Sequence, residues 1–95
     1  MEFKLEPRAK IDIQNEINYY NELQKGLGKK FHLEIKQYFS AIKKNPFYQI
    51  RYKNVRCLPL KKFPIMIHFT VDEVKQKIVI WAVINTYRNP KEYWI

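Results

Sequence analysis

The chain has 95 residues, enough for one domain, since a polypeptide of this length buries only roughly two thirds of the surface its unfolded form exposes. Its hydrophobic share of 46% and aromatic share of 16% exclude a disordered basic tail and call for a packed core. The single cysteine, Cys57, excludes an internal disulfide and any multi-cysteine metal site, and reads as a small buried hydrophobe. Net charge is +9, but it is unevenly distributed. Residues 1–24 hold three basic and five acidic side chains, whereas residues 25–95 hold fifteen basic and four acidic ones, a net +11. Between Lys43 and Lys62 there are seven cations and no carboxylate. Such a block attracts phosphate backbones or an acidic protein partner.

In chain order, Glu2 to Glu6 alternates Phe3 and Leu5 with charged residues and predicts a short half-buried strand. Pro7 suits the first position of a helix, where its missing N–H costs nothing. Ala9, Ile13, Ile17, Tyr20 and Leu23 continue at helical spacing up to Gly26, which is free to take positive φ. A second helix restarts at Gly28 and carries the apolar stripe Phe31, Ile35, Tyr38, Phe39 and Ile42. Asn45-Pro46 stops it, because a residue before proline is pushed out of the α region.

Beyond Pro46 the apolar period becomes two. Tyr48, Ile50 and Tyr52 alternate, with a bend or bulge expected at Lys53-Asn54 before Val55. Phe63, Ile65, Ile67, Phe69 and Val71 form the next strand, with Pro64 tolerable only near its start. Asp72 to Gln76 reads as a hairpin turn, and Lys77 to Asn85 as a strand apolar on both faces, buried in the sheet. The expected fold class is α+β: an N-terminal strand, an antiparallel two-helix hairpin, then a three-stranded antiparallel meander, with the helices packed on one face of the sheet.

The chemistry is narrowed by what is missing. His32 and His68 fall on different elements, no zinc or calcium spacing occurs, and the only glycines, Gly26 and Gly28, lie between the helices, so no cofactor or metal is expected. The start of the chain lacks an apolar signal core and the longest apolar run, Ile78 to Ile84, is too short to span a bilayer, which predicts a cytoplasmic protein without membrane contact. Metal-free phosphodiester cleavage or pure binding remain. For cleavage, Arg56, Lys61, Lys62 and Arg88 would supply cations, and His68 or Tyr93 a proton carrier. Alternation sets His68 on the face opposite Ile67 and Phe69, as a solvent-facing or hydrogen-bonded sheet histidine. Tyr93 and Trp94 read either as target contacts or as aromatics that close the core.

Ala9 with Asp12-Ile13, Tyr19-Tyr20, Phe31, Asn45-Pro46, Val55-Arg56, Phe63-Pro64-Ile65-Met66-Ile67 and Arg88-Asn89-Pro90 followed by Trp94 together resemble the RelE/ParE superfamily of bacterial toxins from type II toxin-antitoxin modules. The pattern is more similar to the ParE branch, the plasmid stabilization proteins. The resemblance implies a growth-inhibiting toxin neutralised by a cognate antitoxin with an acidic, partly disordered segment. ParE-type toxins act on DNA gyrase, RelE-type toxins cut mRNA on the ribosome, and Arg56 and Arg88 match arginines recurrent in the superfamily. RelE-type enzymes carry a catalytic arginine on the strand that corresponds to Phe63–Val71, where this chain has Ile65 and no arginine or lysine. The implied order is therefore a gyrase poison acting through Arg56, Lys61, Lys62, Arg88, Tyr93 and Trp94. The alternatives are an mRNA interferase working through Arg56, His68, Arg88 and Tyr93, and a non-toxic basic binding domain.

Overall fold

In the computed structural model, described for residues 1–89, the elements follow in the order β1 (Glu2–Leu5), α1 (Pro7–Leu23), α2 (Leu27–Lys44), β2 (Ile50–Tyr52), β3 (Val55–Pro59), β4 (Ile65–Asp72) and β5 (Lys77–Asn85). Tyr93 and Trp94 lie outside the described residues. The five strands form one sheet in the order β1-β5-β4-β3-β2. β5 pairs antiparallel with β4 and parallel with β1, so the sheet is mixed.

The meander has four strands where three were expected. Lys53, at φ 47°, turns the chain back on itself, so the anticipated bend is a hairpin and β2 and β3 pair antiparallel. A second irregularity was not anticipated: His68 pairs with Ala82 and Phe69 with Ile80, which leaves Trp81 as an extra residue in β5. This bulge sends Trp81 outward, half-exposed, where its indole N–H donates to the Thr70 hydroxyl at 2.8 Å.

Alternation in β4 and β5 delivers Ile65, Ile67, Phe69, Ile78, Ile80 and Val83 to one side, where they meet Ala9, Tyr20, Phe31, Ile35, Phe39 and Ile42 of the helices. Leu23 departs from its expected stripe and is exposed, since α1 ends there. Phe63 precedes β4 and reaches between the helices, its ring 4.9 Å from Tyr20 and 5.5 Å from Phe31. These edge-on aromatic contacts close the core at one end of the sheet.

The helix link uses both glycines, for different reasons. Gly26 takes a left-handed φ of 86° ahead of α2. Gly28 instead sits against α1: its N–H donates to the Asn21 side chain at 2.9 Å, and a Cβ there would lie 2.7 Å from Asn21 Cγ and collide with the Ile17 carbonyl. Because that carbonyl belongs to the α1 backbone, only a shift of the whole helix would relieve the clash. Gly28→Ala is therefore expected to destabilise the fold by about 1–3 kcal/mol, the usual cost of overpacking, read as a lower denaturation midpoint.

Candidate functional site at the end of strand β5

β1 is short and covers β5 only as far as Ile80, where the Glu6 N–H still bonds the Ile80 carbonyl at 3.0 Å. The remainder of β5 would present open backbone donors on that side. α1 lies over it, and Asp12 Oδ2 accepts the Val83 N–H at 3.0 Å while Arg8 Nε stands 3.4 Å from the same oxygen. One helical turn on, Glu16 is 3% exposed and faces the last residue of β5, Asn85, which is 2% exposed.

Every polar atom of the Asn85 side chain is used. Nδ2 donates to Glu16 Oε1 at 3.0 Å and to the Tyr20 hydroxyl at 3.3 Å. Oδ1 accepts the backbone N–H groups of Tyr87 and Arg88, both at 3.0 Å, and so shapes the turn that follows the strand. That turn returns Arg88 to α1, where Arg88 Nη2 donates to Glu16 Oε2 and the guanidinium carbon lies 4.0 Å from the centre of the Tyr19 ring. The pairing offsets the cost of burying the Glu16 carboxylate, and the ring face adds a cation–π contact. Arg88 keeps 37% of its side chain exposed, so its outer edge faces an open polar pocket lined also by Asn15, Asn18, Glu22 and Asn89.

The other sequence-derived residues do not converge here. Arg56 pairs in register with Phe69 and Cys57 with His68, so Arg56 and His68 project from opposite faces of the sheet. Arg56 serves a local role: Nη1 donates to the Tyr48 carbonyl at 2.7 Å and the guanidinium lies 5.4 Å from the Phe47 ring. His68 is hydrogen-bonded, as one expected alternative had it, but it is buried at 2% exposure rather than solvent-facing. Its Nδ1 is 3.0 Å from the Tyr52 hydroxyl and 3.7 Å from Cys57 Sγ. Burial pushes the Tyr52 phenol and the Cys57 thiol above their ordinary pKa values. Lys61 and Lys62 are exposed just past β3, at the opposite end of that strand from Lys53, so the acid-free block is not one patch. The Lys61 N–H is held by the Tyr38 hydroxyl at 3.0 Å.

Sequence reasoning missed Asp12, Glu16 and Asn85 as a set, because Asp12 entered only through the resemblance and Glu16 only as charge. A signal exists: Asp12, Glu16 and Tyr20 recur every four residues beside the apolar stripe, and Asn85 interrupts an apolar run at its end.

No protein-family model matches the chain, nor does any curated protein. Among solved structures, a chain of the chromosomal ParDE TA system from P. aeruginosa matches with a TM-score of 0.79 and 19% identity, over 90% of this chain and 95% of that one. The fold is RelE/ParE-like. In that fold, the described residues here include no His/Cys/Asp/Glu group able to hold a metal and no helix long and apolar enough to cross a membrane.

Two outcomes test the network. Arg88→Ala should lower stability by about 1–3 kcal/mol, less than the loss from a fully buried pair because water reaches the freed Glu16 carboxylate from the pocket. Adding Glu16→Gln should recover most of that loss in a denaturation experiment, since no buried charge is then left alone. The second outcome concerns pH. The Tyr20 phenol is raised to about 12, first by burial and then by the negative charge of Glu16. The unfolded chain releases that proton near 10, so the folded state holds more protons between these values and stability falls across that window as pH rises. Tyr20→Phe should flatten the decline and remove the last step of a phenolate absorbance titration.

Proposed function

We propose that the chain is the toxin of a type II toxin-antitoxin module and that it arrests growth by binding its target, DNA gyrase, rather than by breaking bonds itself. The observation that carries this reading is the likeness, over nearly the full length of both chains, to a chain of a ParDE toxin-antitoxin system. Net charge of +9 is consistent with a partner that neutralises it. The geometry favours binding over cleavage. General acid-base work needs its base, acid and cations within hydrogen-bond reach of one phosphate, and Arg56 and His68 sit on opposite faces of the sheet.

In this reading the target contact is the outer edge of Arg88, held out by Glu16 and Tyr19, with the ammonium groups of Lys61 and Lys62 and the side chains of Tyr93 and Trp94 as further contributors. A charge-assisted bond from a guanidinium to a carboxylate or phosphate contributes about 1.5–3 kcal/mol, one to two decades of affinity. The experiment is induced expression in bacteria, alone and with the protein of the adjacent reading frame, with separate readouts of the DNA-damage response and of translation. Expected are arrest relieved by the partner, a DNA-damage response, and intact translation. The Glu16→Gln, Arg88→Ala double variant should remain folded and lose toxicity. Normal growth with soluble folded protein overturns the toxin, and blocked translation without DNA damage moves the target to the ribosome.

A further inference from the structure

The outward face of α2 is strongly basic and takes no part in the Asn85 network. Five of the 18 residues of this helix are exposed lysines: Lys29, Lys30, Lys36, Lys43 and Lys44. At about 100° per residue, Lys29, Lys36 and Lys43 form one row along the helix, and Lys30 and Lys44 a second row about 100° round from the first. Lys62 adds to the second row, since it lines a groove together with Lys30 and Gln37. Between the rows lie Leu33 and Ser40, both exposed. Glu34, the one acid of α2, is turned outside both rows, into the groove beside Tyr20 and Phe63. Among the described residues no carboxylate stands within ion-pair distance of any of these lysines. Helix stability does not account for them either. Lys29 and Lys30 fall in the first turn, which holds no acid and where the positive end of the helix dipole repels cations.

We propose that this face binds the phosphate backbone of duplex DNA, with little regard to sequence. The major groove of B-form DNA, about 12 Å wide, admits an α-helix. With Leu33 and Ser40 turned into the groove, the two lysine rows meet the phosphates on either side of it. From Lys29 to Lys43 the helix advances about 21 Å, so several phosphates are engaged at once. Leu33 and Ser40 offer base edges a single hydroxyl, which leaves recognition to charge and shape. Single strands are disfavoured, because their binding sites stack bases on exposed aromatic rings. The helix instead buries Phe31 and Phe39 and commits the Tyr38 hydroxyl to the Lys61 N–H. Duplex RNA is disfavoured by a major groove too deep and narrow for side chains to enter. A second copy of the chain, itself at +9, is repelled. An acidic polypeptide lacks the fixed, regular charge spacing that two parallel lysine rows match. This binding needs no other protein and does not depend on the toxin reading above.

The test titrates the full chain, without any partner, into a short fluorescent DNA duplex of mixed sequence and follows anisotropy over a series of salt concentrations. The logarithm of affinity should fall against the logarithm of salt with a slope of about −4 to −5, roughly 0.9 for each of the five α2 lysines. The triple variant Lys29→Gln, Lys36→Gln, Lys44→Gln should melt as wild type, bind at least tenfold more weakly and lose about 2 to 3 from the slope. Lys43 is left in place because its ammonium lies 4.7 Å from the centre of the Phe3 ring. Lys36→Gln alone, a mid-helix change, should lower the slope by about 1 and keeps the test decisive if the triple variant does not fold. Lys10→Gln with Lys75→Gln, exposed positions on α1 and in the turn before β5, should bind as wild type. An equal loss in that pair, or unchanged affinity in the α2 variants, overturns the α2 face. No binding by the wild-type chain overturns the proposal and leaves the growth-arrest reading untouched. Tighter binding to the single strand or to duplex RNA, or competition by poly-L-glutamate as strong as by duplex at equal charge, overturns DNA as the occupant.

Discussion

One side-chain amide, that of Asn85, joins the end of the sheet to the first helix and shapes the turn beyond. Its two N–H groups reach Glu16 and Tyr20 of α1, and its oxygen gathers the amides of Tyr87 and Arg88. Hydrophobic burial would hold α1 on the sheet in many registers, because it is non-directional. The hydrogen bonds from Asn85, together with that from the Val83 amide to Asp12, select one. In a low-dielectric setting such a network is stabilising only when every member is satisfied. Here Arg88 completes it by pairing with Glu16.

That arrangement gives the acidic N-terminal part of the chain a structural meaning. Asp12 and Glu16 are turned toward β5 and matched by Arg8, Arg88 and backbone amides. Lysines of the later part, among them Lys30, Lys36, Lys61 and Lys62, remain on the surface. The charge a partner meets on α2 and beyond β3 is therefore mainly positive. Local distribution, more than the total of +9, sets the potential at each face.

The strand pleat carries an equally firm consequence for chemistry. Adjacent register pairs project to opposite faces, so Arg56, beside Phe69, and His68, beside Cys57, are separated by the sheet itself. No side-chain rotation would bring them to one phosphate. Arg88, at the end of β5, is instead oriented by Glu16 and the Tyr19 ring with its outer edge free for another group. An arginine so held gives up little rotamer freedom when another group pairs with it.

The periodicity of Phe31, Ile35, Phe39 and Ile42, and of Ile65, Ile67 and Phe69, is local, and burial of one face follows from it directly. The two helices and the long strands β4 and β5 were accordingly legible from residue order, as was the break at Asn45-Pro46. The parallel pairing of β1 with β5 was not, because it joins residues about 75 apart in the chain and depends on which strand edge remains open. The hairpin at Lys53 was half visible: a bend was readable, but reversal required a positive φ at a lysine that only strand pairing stabilises. The candidate site divides the same way. Arg88 could be named from its position after an apolar strand, whereas its pairing with Glu16 and Tyr19 could not, since a carboxylate on a helix reads as solvated until tertiary packing removes the water. The sequence by itself determined the elements, the apolar faces and the excess of positive charge, all set by neighbours along the chain. Tertiary structure alone decided strand order, the bulge at Trp81 and the buried polar network, because these depend on groups distant in sequence competing for the same hydrogen bonds.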